Sequence, residues 1–275
     1  MAAKVCLITG ASSGIGHATA LELLRAGHVV YGAARRVGHM AAIDEAGGRA
    51  LPVDVTEEEH LQRAVRTVLD EQGRIDVLVN NAGAVLHGAV EDTPLPMARD
   101  EFEVNLFAPA RLVQLVLPHM RRQRSGTIVN VSSVGGEVAF PLGAWYYASK
   151  HALEAFSDTL RMETGRFGID VVVIQPGIIR TGFEAETPRQ LREISGHGAY
   201  GVMAEAMARA AEAPAGHQSD QASDPGVVAT AIRQAIESDR PDTRYVVGWQ
   251  AEALLNLRRT LSDRDFDAAV TGPLT

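Results

Sequence analysis

Two residues in the middle of the chain have the types and spacing needed for proton transfer. Tyr146 and Lys150 are four residues apart, so on a helix their side chains share one face. A tyrosine phenol has a pKa of about 10 in water, and a neighbouring ammonium favours the phenolate and lowers that pKa. Such a phenol can give a proton to a carbonyl oxygen or take one from an alcohol. Taken alone, the same pair is also typical of an exposed helix face.

A glycine motif near the start of the chain predicts a dinucleotide site. Residues 9–16 are Thr-Gly-Ala-Ser-Ser-Gly-Ile-Gly, and they stand between a strand pattern and a helix pattern. Gly10 allows a tight turn, Gly14 lets the backbone approach a pyrophosphate, and Gly16 lets helix and strand pack closely. The pyrophosphate would lie at the positive end of the helix. The spacing is Gly-x3-Gly-x-Gly.

Apolar, β-branched runs alternate with longer helix patterns, which predicts a doubly wound parallel α/β sheet of about seven strands with helices on both faces. The predicted strands are Val5–Thr9, His28–Ala33, Arg49–Val53, Val77–Asn80, Thr127–Val131, Asp170–Gln175 and Arg244–Val247. The predicted helices are Gly14–Ala26, Glu57–Gln72, Asp100–Arg124, Trp145–Phe167 and Pro225–Ser238. Thr56 and Glu59 predict a capping box at the second helix. We expect a single domain over residues 1–275, since no second core pattern is present.

The stretch of residues 183–224 interrupts this alternation. It is rich in Ala, Gly, His and Glu and contains one possible short helix at Met203–Ala213. It follows the sixth strand, at the end of the sheet where ligands bind. The stretch is therefore predicted to be either a mobile lid over a substrate or a surface insertion.

Composition and charge exclude several classes of protein. Of the 275 residues, 46% are hydrophobic and 22% are charged, which is ordinary for a globular chain. The formal net charge of −8 and the lack of a long basic run argue against nucleic acid as a partner. A single cysteine excludes an internal disulfide, and the histidines show no ligand-like pairing, so no metal is expected. Without a targeting segment or a membrane span, we expect a cytoplasmic protein.

Several further motifs, in the right order, resemble those of the classical short-chain dehydrogenases/reductases. They are Asp54 after the third strand, the run Asn80, Asn81, Ala82 and Gly83 after the fourth, Asn105, Ser133, the run from Tyr146 to Lys150, and Pro176 and Gly177 with Thr181 downstream. The resemblance is close over residues 1–182 and loose over the C-terminal third. It implies a Rossmann-type fold, a nicotinamide cofactor and hydride transfer.

The resemblance also implies a role for each catalytic candidate. Tyr146 would be the general acid or base, and Lys150 would also hold the ribose hydroxyls of the nicotinamide. Ser133 would bond to the substrate oxygen, and Asn105 would complete a water-linked proton relay. The four-residue step to Lys150 selects Tyr146 instead of its neighbour, and the serine–tyrosine interval of the family selects Ser133.

Arginines at the end of the second predicted strand favour NADP(H) over NAD(H). An enzyme that binds NAD places a carboxylate there for the ribose hydroxyls, but this chain has Arg35 and Arg36 and no acid until Asp44. Arginine can bind a 2′-phosphate through two hydrogen bonds, so Arg35 is predicted as the main contact and Arg36 as the second. Ser13 occupies the position where the family often has another basic residue. The predicted cofactor contacts are Gly10, Ser12, Ser13, Gly14, Ile15, Gly16, Arg35, Arg36, Asp54, Val55, Asn81, Ala82, Gly83, Tyr146, Lys150, Pro176, Gly177 and Thr181.

Pro109 predicts a local break next to Asn105. In an α-helix the N–H of residue 109 would bond to the carbonyl of residue 105, and proline has no N–H. The helix should therefore kink there and leave the Asn105 carbonyl free.

The sequence as a whole predicts an NADP(H)-dependent oxidoreductase that transfers hydride between the nicotinamide and a carbonyl or secondary alcohol of a lipophilic small molecule. Five apolar residues are either core or an apolar wall for that substrate: Phe140, Leu142, Trp145, Phe183 and Met203. One alternative is a non-enzymatic NADP(H)-sensing regulatory protein on the same fold, which would typically lack the tyrosine or the lysine. Another is an epimerase or dehydratase of the extended relatives. Family resemblance also implies a homodimer or homotetramer.

Overall fold

Seven parallel strands form one sheet in the part of the chain that the structure describes, as the sequence predicts. The computed structural model describes residues 2–212 and 222–272, without the side chains of residues 183–185. The strands are β1 (Val5–Thr9), β2 (Val29–Ala34), β3 (Arg49–Pro52), β4 (Val77–Asn80), β5 (Gly126–Val131), β6 (Ile169–Pro176) and β7 (Arg244–Val247). Their order across the sheet is β3-β2-β1-β4-β5-β6-β7. The predicted strand ends are right or differ by one residue.

Eleven α-helices lie in the described residues. They are α1 (Gly14–Arg25), α2 (Ala41–Glu45), α3 (Glu58–Gln72), α4 (Leu95–Phe102), α5 (Ala108–Gln123), α6 (Ala144–Thr164), α7 (Phe183–Ser195), α8 (Gly201–Glu212), α9 (Pro225–Glu237), α10 (Ala251–Thr260) and α11 (Asp263–Thr271). Short 3₁₀ segments lie at Val37–Met40, Val134–Gly136 and Gly165–Phe167.

Helices cover both faces of the sheet, because alternate strand residues point to opposite sides. On one face, Leu7 and its equivalents pack with α3, α5 and α6. On the other, Cys6 and Ile8 pack with α1, α2 and α9. Strands buried on both faces explain why the strand sequences are apolar throughout. The strand order reverses between β1 and β4, which opens a crevice at the carboxyl ends of the strands.

The single helix predicted over Asp100–Arg124 is wrong. The structure has α4, then a π-helical turn at Glu103–Phe107, then α5. The N–H of Ala108 donates to the carbonyl of Glu103, five residues back. Pro109, which has no N–H, follows at once in the first turn of α5. The predicted irregularity is therefore present, as a π turn that contains Asn105.

The interrupting stretch contains a pair of packed helices. Only α8 corresponds to the short helix predicted there, and α7 was not predicted. Arg192 on α7 forms ion pairs with Glu205 and Glu212 on α8. Leu191 and Ala204 are fully buried between the helices. Such contacts between segments outweigh the weak local helix pattern. Residues 213–221 of the predicted insertion lie outside the described residues.

Candidate active site

The sequence-predicted site residues gather at the carboxyl end of the sheet. The glycine loop joins β1 to α1, Asn81 follows β4, Ser133 follows β5, and Thr181 lies beyond β6. Parallel strands bring these loops to one edge. The topology therefore places side chains from distant parts of the sequence around one crevice.

The glycine loop is packed too tightly for other residues at two positions. Gly10 has φ +68°, and a Cβ there would lie 2.8 Å from Asn81 Nδ2. A Cβ on Gly16 would overlap Asn81 Nδ2 and the Gly10 carbonyl oxygen. Gly14 has φ +54°, and its Cβ would meet Thr181 Cγ2 at 3.2 Å. The loop thus brings the start of α1 close to Thr181 and to the segment after β4.

The start of α1 fits a phosphate group. Ser13 is the N-cap residue, and within the described part of the chain no side chain caps the helix. The first turn of α1 contains no acidic residue. Its backbone N–H groups and the positive end of the helix dipole therefore suit a pyrophosphate. These features fit the nicotinamide dinucleotide that the sequence predicts.

Thr9 organises the two loops that would hold this dinucleotide, although the sequence analysis did not select it. Its hydroxyl accepts hydrogen bonds from the backbone N–H groups of Asn81 and Ala82, each at 3.0 Å. The Asn81 side chain donates to the Thr9 carbonyl at 2.9 Å. Thr9 is the last residue of β1 and directly precedes Gly10. Its position at the start of the glycine motif is the sequence feature that could have identified it.

Two arginines lie at the end of β2, where they were predicted to distinguish the cofactors. Arg35 and Arg36 are exposed, and Arg36 Nη2 lies 3.5 Å from Ser13 Oγ. Burial opposes ionisation of Asp54, but hydrogen bonds from Thr56 and the charge of Arg35 hold the pKa of that carboxyl below its usual value. Both guanidinium groups are thus accessible to an anion beside the glycine loop.

The capping box predicted at α3 is wrong. Glu57 is the N-cap residue, and no side chain in the described part of the chain caps the helix. The Thr56 hydroxyl donates instead to Asp54 Oδ1 at 2.8 Å. A local hydrogen bond to the preceding loop has replaced the cap.

The segment after β5 and the start of α6 bring together three of the catalytic candidates, Ser133, Tyr146 and Lys150. Lys150 is buried, and its Nζ donates to the Val131 carbonyl at 3.0 Å. The same Nζ lies 5.9 Å from the centre of the Tyr146 ring. The Ser133 side chain lies close enough to the Tyr146 hydroxyl to favour ionisation of that phenol. This arrangement gathers a hydroxyl, a phenol and an ammonium at one place in the crevice.

The electrostatics of this group differ from the sequence expectation. Burial raises the pKa of Tyr146, and the nearby Ser133 side chain only partly offsets this rise, so the predicted lowering of the phenol pKa is wrong here. Burial also lowers the pKa of Lys150 to about 8, against the charges of Glu101 and Glu154. Desolvation therefore outweighs the cation. A tyrosine that keeps its proton at neutral pH is suited to the role of an acid.

Asn105 fixes the segment after β4 and the helix that carries Tyr146. Its Nδ2 donates to the Ala84 carbonyl at 2.9 Å, and its Oδ1 accepts from the Ala84 N–H at 2.8 Å. Nδ2 also donates to Ser149 Oγ at 3.0 Å, and that hydroxyl donates to the Tyr146 carbonyl at 2.7 Å. Sequence reasoning missed Ser149, although it stands inside the Tyr146–Lys150 run.

The structure distinguishes the two adjacent serines. Ser133 Oγ accepts from the Gly135 N–H at 3.0 Å and contacts Tyr146. Ser132 is buried, and its hydroxyl has no hydrogen-bond partner among the described residues. Ser133, and not Ser132, is the serine whose side chain acts on the tyrosine that the sequence singled out.

The remaining predicted cofactor contacts have different surroundings. A Cβ on Gly83 would lie 3.5 Å from Asn105 Oδ1 and 3.9 Å from Lys150 Nζ, so this glycine lies beside the catalytic candidates. A Cβ on Gly177 would overlap the Trp249 carbonyl, which gives that glycine a packing role in addition to the predicted one. Pro176 ends β6, and Ser12, Ile15 and Val55 are in the loops and helix start at the same edge.

The π turn before Pro109 gives a structural prediction. The Pro109→Ala variant gains an N–H that can bond to the Asn105 carbonyl, so we expect a regular α-helix and a displaced Asn105 side chain. Turnover should fall about tenfold to a hundredfold, as for a misplaced catalytic group. A crystal structure and steady-state kinetics test this, with Pro118→Ala later in α5 as the matched control. An unchanged π turn with unchanged Asn105 hydrogen bonds would contradict it.

The described residues contain neither a metal-binding cluster nor a helix suited to span a membrane. Within residues 2–212 and 222–272, no group of three or more His, Cys, Asp or Glu side chains could hold a metal ion. In that same part of the chain, no helix combines the length and apolar character needed to cross a bilayer.

Comparisons with known proteins agree with this geometry. Residues 4–192 match the family model described as short chain dehydrogenase. The chain is 40% identical over 200 residues to 3-ketodihydrosphingosine reductase of Bacteroides thetaiotaomicron, a match that covers 71% of each chain. The crystal structure of a short-chain dehydrogenase from Streptomyces avermitilis superposes with a TM-score of 0.78. The two sequences are 35% identical, and the match covers 93% of this chain and 92% of that one. A metagenomic short-chain oxidoreductase in complex with NADP is 27% identical, with a TM-score of 0.69 and coverage of 89% and 96%.

Proposed function

The chain belongs to the short-chain dehydrogenase family, and from that premise we propose that it is an NADP(H)-dependent reductase of a carbonyl group on a lipophilic small molecule. Membership makes it an oxidoreductase that acts on a carbonyl or CH–OH group with NAD(P). The observation that carries the proposal is the meeting of Ser133, Tyr146 and Lys150 beside the glycine loop. Nothing in the comparisons supports the alternative of a non-enzymatic NADP(H)-sensing protein.

The chain's own backbone and side chains would hold the cofactor along the crevice. The N–H groups at the start of α1 would bind the pyrophosphate, Arg35 and Arg36 the 2′-phosphate, and Lys150 the nicotinamide ribose. NADPH supplies a hydride when bound. Gly14 and Thr181 are neighbours, since a Cβ on the glycine would lie only 3.2 Å from Thr181 Cγ2. Both residues would therefore contact the same part of the dinucleotide.

The side chains around Tyr146 would manage the proton. Ser133 would donate a hydrogen bond to the substrate oxygen and orient it. Tyr146 would then transfer its phenolic proton to that oxygen as negative charge develops there. Burial raises the pKa of Tyr146, so the phenol keeps its proton at neutral pH, as the proton donor in a reduction must. Lys150, with a pKa of about 8, and Asn105 would restore the proton afterwards.

A buried apolar cluster next to the start of α6 supports the proposed lipophilic substrate. Leu142 is buried in one cluster with Leu191 and Ala204, and Met203 packs against that cluster. The cluster joins the loop before α6 to α7 and α8, so the helices of residues 183–212 border the site. The relative from Bacteroides thetaiotaomicron is named as the reductase of a ketone, 3-ketodihydrosphingosine, which agrees with a carbonyl substrate. Phe140, which was predicted to belong either to the substrate wall or to the core, packs with the C-terminal helices. The side chain of Phe183 lies outside the described residues.

The proposed activity is tested by oxidation of NADPH and, separately, NADH with a panel of aliphatic, aromatic, steroid, long-chain 3-keto and quinone carbonyls. We expect turnover with NADPH that increases with the apolar size of the ketone. Turnover limited to small hydrophilic carbonyls would contradict the substrate class. Tight NADPH binding without any turnover on this panel would favour the regulatory alternative.

The Arg35→Asp variant tests the proposed cofactor preference. The new carboxylate repels the 2′-phosphate of NADPH and can bind the ribose hydroxyls of NADH. NADPH also loses its charge-assisted hydrogen bonds to Arg35, which are each worth about 1.5–3 kcal/mol. We expect the NADPH-to-NADH ratio of kcat/KM to fall about tenfold to a hundredfold. Arg264→Asp, an equal charge change at an exposed residue of α11, is the control. An unchanged ratio in Arg35→Asp would refute the assignment.

Three broader sequence predictions stay proposals. We propose a single domain over residues 1–275, since β1 near the start and β7 near the end belong to the same sheet. The family resemblance supports a homodimer or homotetramer, with α5 and α6 as the candidate interface. A cytoplasmic location rests on the sequence analysis alone.

A further inference from the structure

Glu101 is a buried carboxyl group on α4, one helical turn before Asn105. Only 2% of its surface is exposed. Its Oε1 accepts a hydrogen bond from the Leu86 N–H at 2.9 Å. Asn105, on the next turn, holds both backbone groups of Ala84. Two side chains from one helix face thus fix the segment of residues 84–86, which runs from the dinucleotide loop into the site.

The second oxygen of Glu101 is left without a partner. Oε2 is buried and has no hydrogen-bond partner among the described residues. An ionised carboxylate in that position is costly, because water cannot reach it and no bond replaces the water. The fold has kept an acidic residue where leucine or methionine would fill the space without this cost. Such a retained, half-satisfied group is a candidate for function.

The α4 helix, which carries Glu101, contacts α6, which carries the catalytic candidates. Its charge acts on Lys150 and on Tyr146, and Glu154 acts on Lys150 from the next turn of α6. His87, next to Leu86, is neutral at working pH because burial lowers its pKa to about 4. The charge state of Glu101 is therefore coupled chiefly to the tyrosine and lysine.

We propose that Glu101 is a positioning residue of the active site: Oε1 holds the Ala84–Leu86 segment against Asn105, and the carboxyl group acts through its charge on the Tyr146–Lys150 pair. This inference rests on the proposed function for its catalytic consequence. Burial raises the pKa of Glu101 to about 8, with the Leu86 N–H and Lys150 opposing. At neutral pH the group is mostly protonated and adds no negative charge beside Tyr146. Above that pH it ionises and makes the phenol hold its proton more strongly.

The first test follows the carboxyl group directly and needs no substrate. The protein is labelled with ¹³C at the glutamate carboxyl carbons and titrated by NMR in wild type, Glu101→Gln and Glu103→Gln. We expect one resonance that titrates near pH 8, is lost in Glu101→Gln and persists in Glu103→Gln. Glu103 is the matched control, since it is an exposed glutamate of the same helical region. A Glu101 resonance that titrates below about pH 5, like a free glutamate, would overturn the proposal.

The second test follows the reaction. In the Glu101→Gln variant the amide oxygen can still accept from the Leu86 N–H, so the fold and NADPH binding should persist. Without the charge, Tyr146 loses its proton more easily. We expect the alkaline limb of the kcat/KM profile for reduction to move down by about half a pH unit or more, and Glu103→Gln to leave it in place. If the pH profile of Glu101→Gln coincides with that of the wild type, and Glu101→Leu only lowers stability, Glu101 has a structural role and the proposal fails.

The two tests separate this inference from the proposed function. The titration of the Glu101 resonance near pH 8 is expected whether or not a carbonyl substrate has been found. If the wild-type protein reduces no carbonyl while the Glu101 resonance titrates near pH 8, the proposed function fails and the inference about Glu101 is upheld. If turnover is normal and the resonance titrates at low pH, the proposed function stands and this inference fails.

Discussion

The Tyr146→Phe variant is expected to lose nearly all turnover while it binds NADPH as the wild type does. Phenylalanine keeps the ring, so the packing beside Lys150 and Tyr147 stays. It removes the hydroxyl that would pass a proton to the substrate oxygen. General acid catalysis contributes about 10²–10⁴-fold, so kcat should fall by that factor. Steady-state kinetics measure the loss, and NADPH fluorescence titration measures the binding.

Tyr147→Phe is the matched control for this experiment. It removes the same hydroxyl from the neighbouring ring, which packs against Phe140, and it should leave kcat within a factor of about two, as for a substitution outside the chemistry. A Tyr146→Phe enzyme with kcat near wild type would show that another group supplies the proton. Equal losses in both variants would point to packing instead of proton transfer.

The Gly16→Ala variant is expected to lose cofactor binding and some stability. The added methyl would overlap Asn81 Nδ2 and the Gly10 carbonyl, which belong to the two loops that Thr9 joins. Relief of this overlap must move Asn81 or the glycine turn. Overpacking of this kind costs about 1–3 kcal/mol of unfolding free energy. We expect Kd for NADPH to rise by about tenfold or more, since the displaced backbone N–H groups no longer converge on the pyrophosphate.

Gly38→Ala is the control, because a Cβ at Gly38 meets nothing within 4 Å. Calorimetry gives the binding constants, and chemical denaturation gives the free energies of unfolding. We expect Gly38→Ala to match wild type in both. Normal NADPH affinity in Gly16→Ala would mean that the loop relaxes without moving its N–H groups, and would contradict the proposed cradle.

The sequence was sufficient to predict the sheet, because the strands are buried on both faces and their apolar runs are unambiguous. It failed where contacts between segments decide the local structure. The helix predicted over Asp100–Arg124 breaks into α4, a π turn and α5. The α7 helix forms although Pro188 lies inside it, since Arg192 and Leu191 secure it to α8.

The order and spacing of the motifs determined, from the sequence by itself, the family, the fold and the candidates Ser133, Tyr146 and Lys150. Local spacing has this power because residues four apart on a helix share a face and loops after parallel strands share an edge. Only the tertiary structure decided the electrostatics. The phenol pKa of Tyr146 rises instead of falling, and Glu101 becomes a buried acid beside Lys150. Both effects arise from desolvation, which depends on what the rest of the fold packs around a group and cannot be derived from its neighbours in sequence.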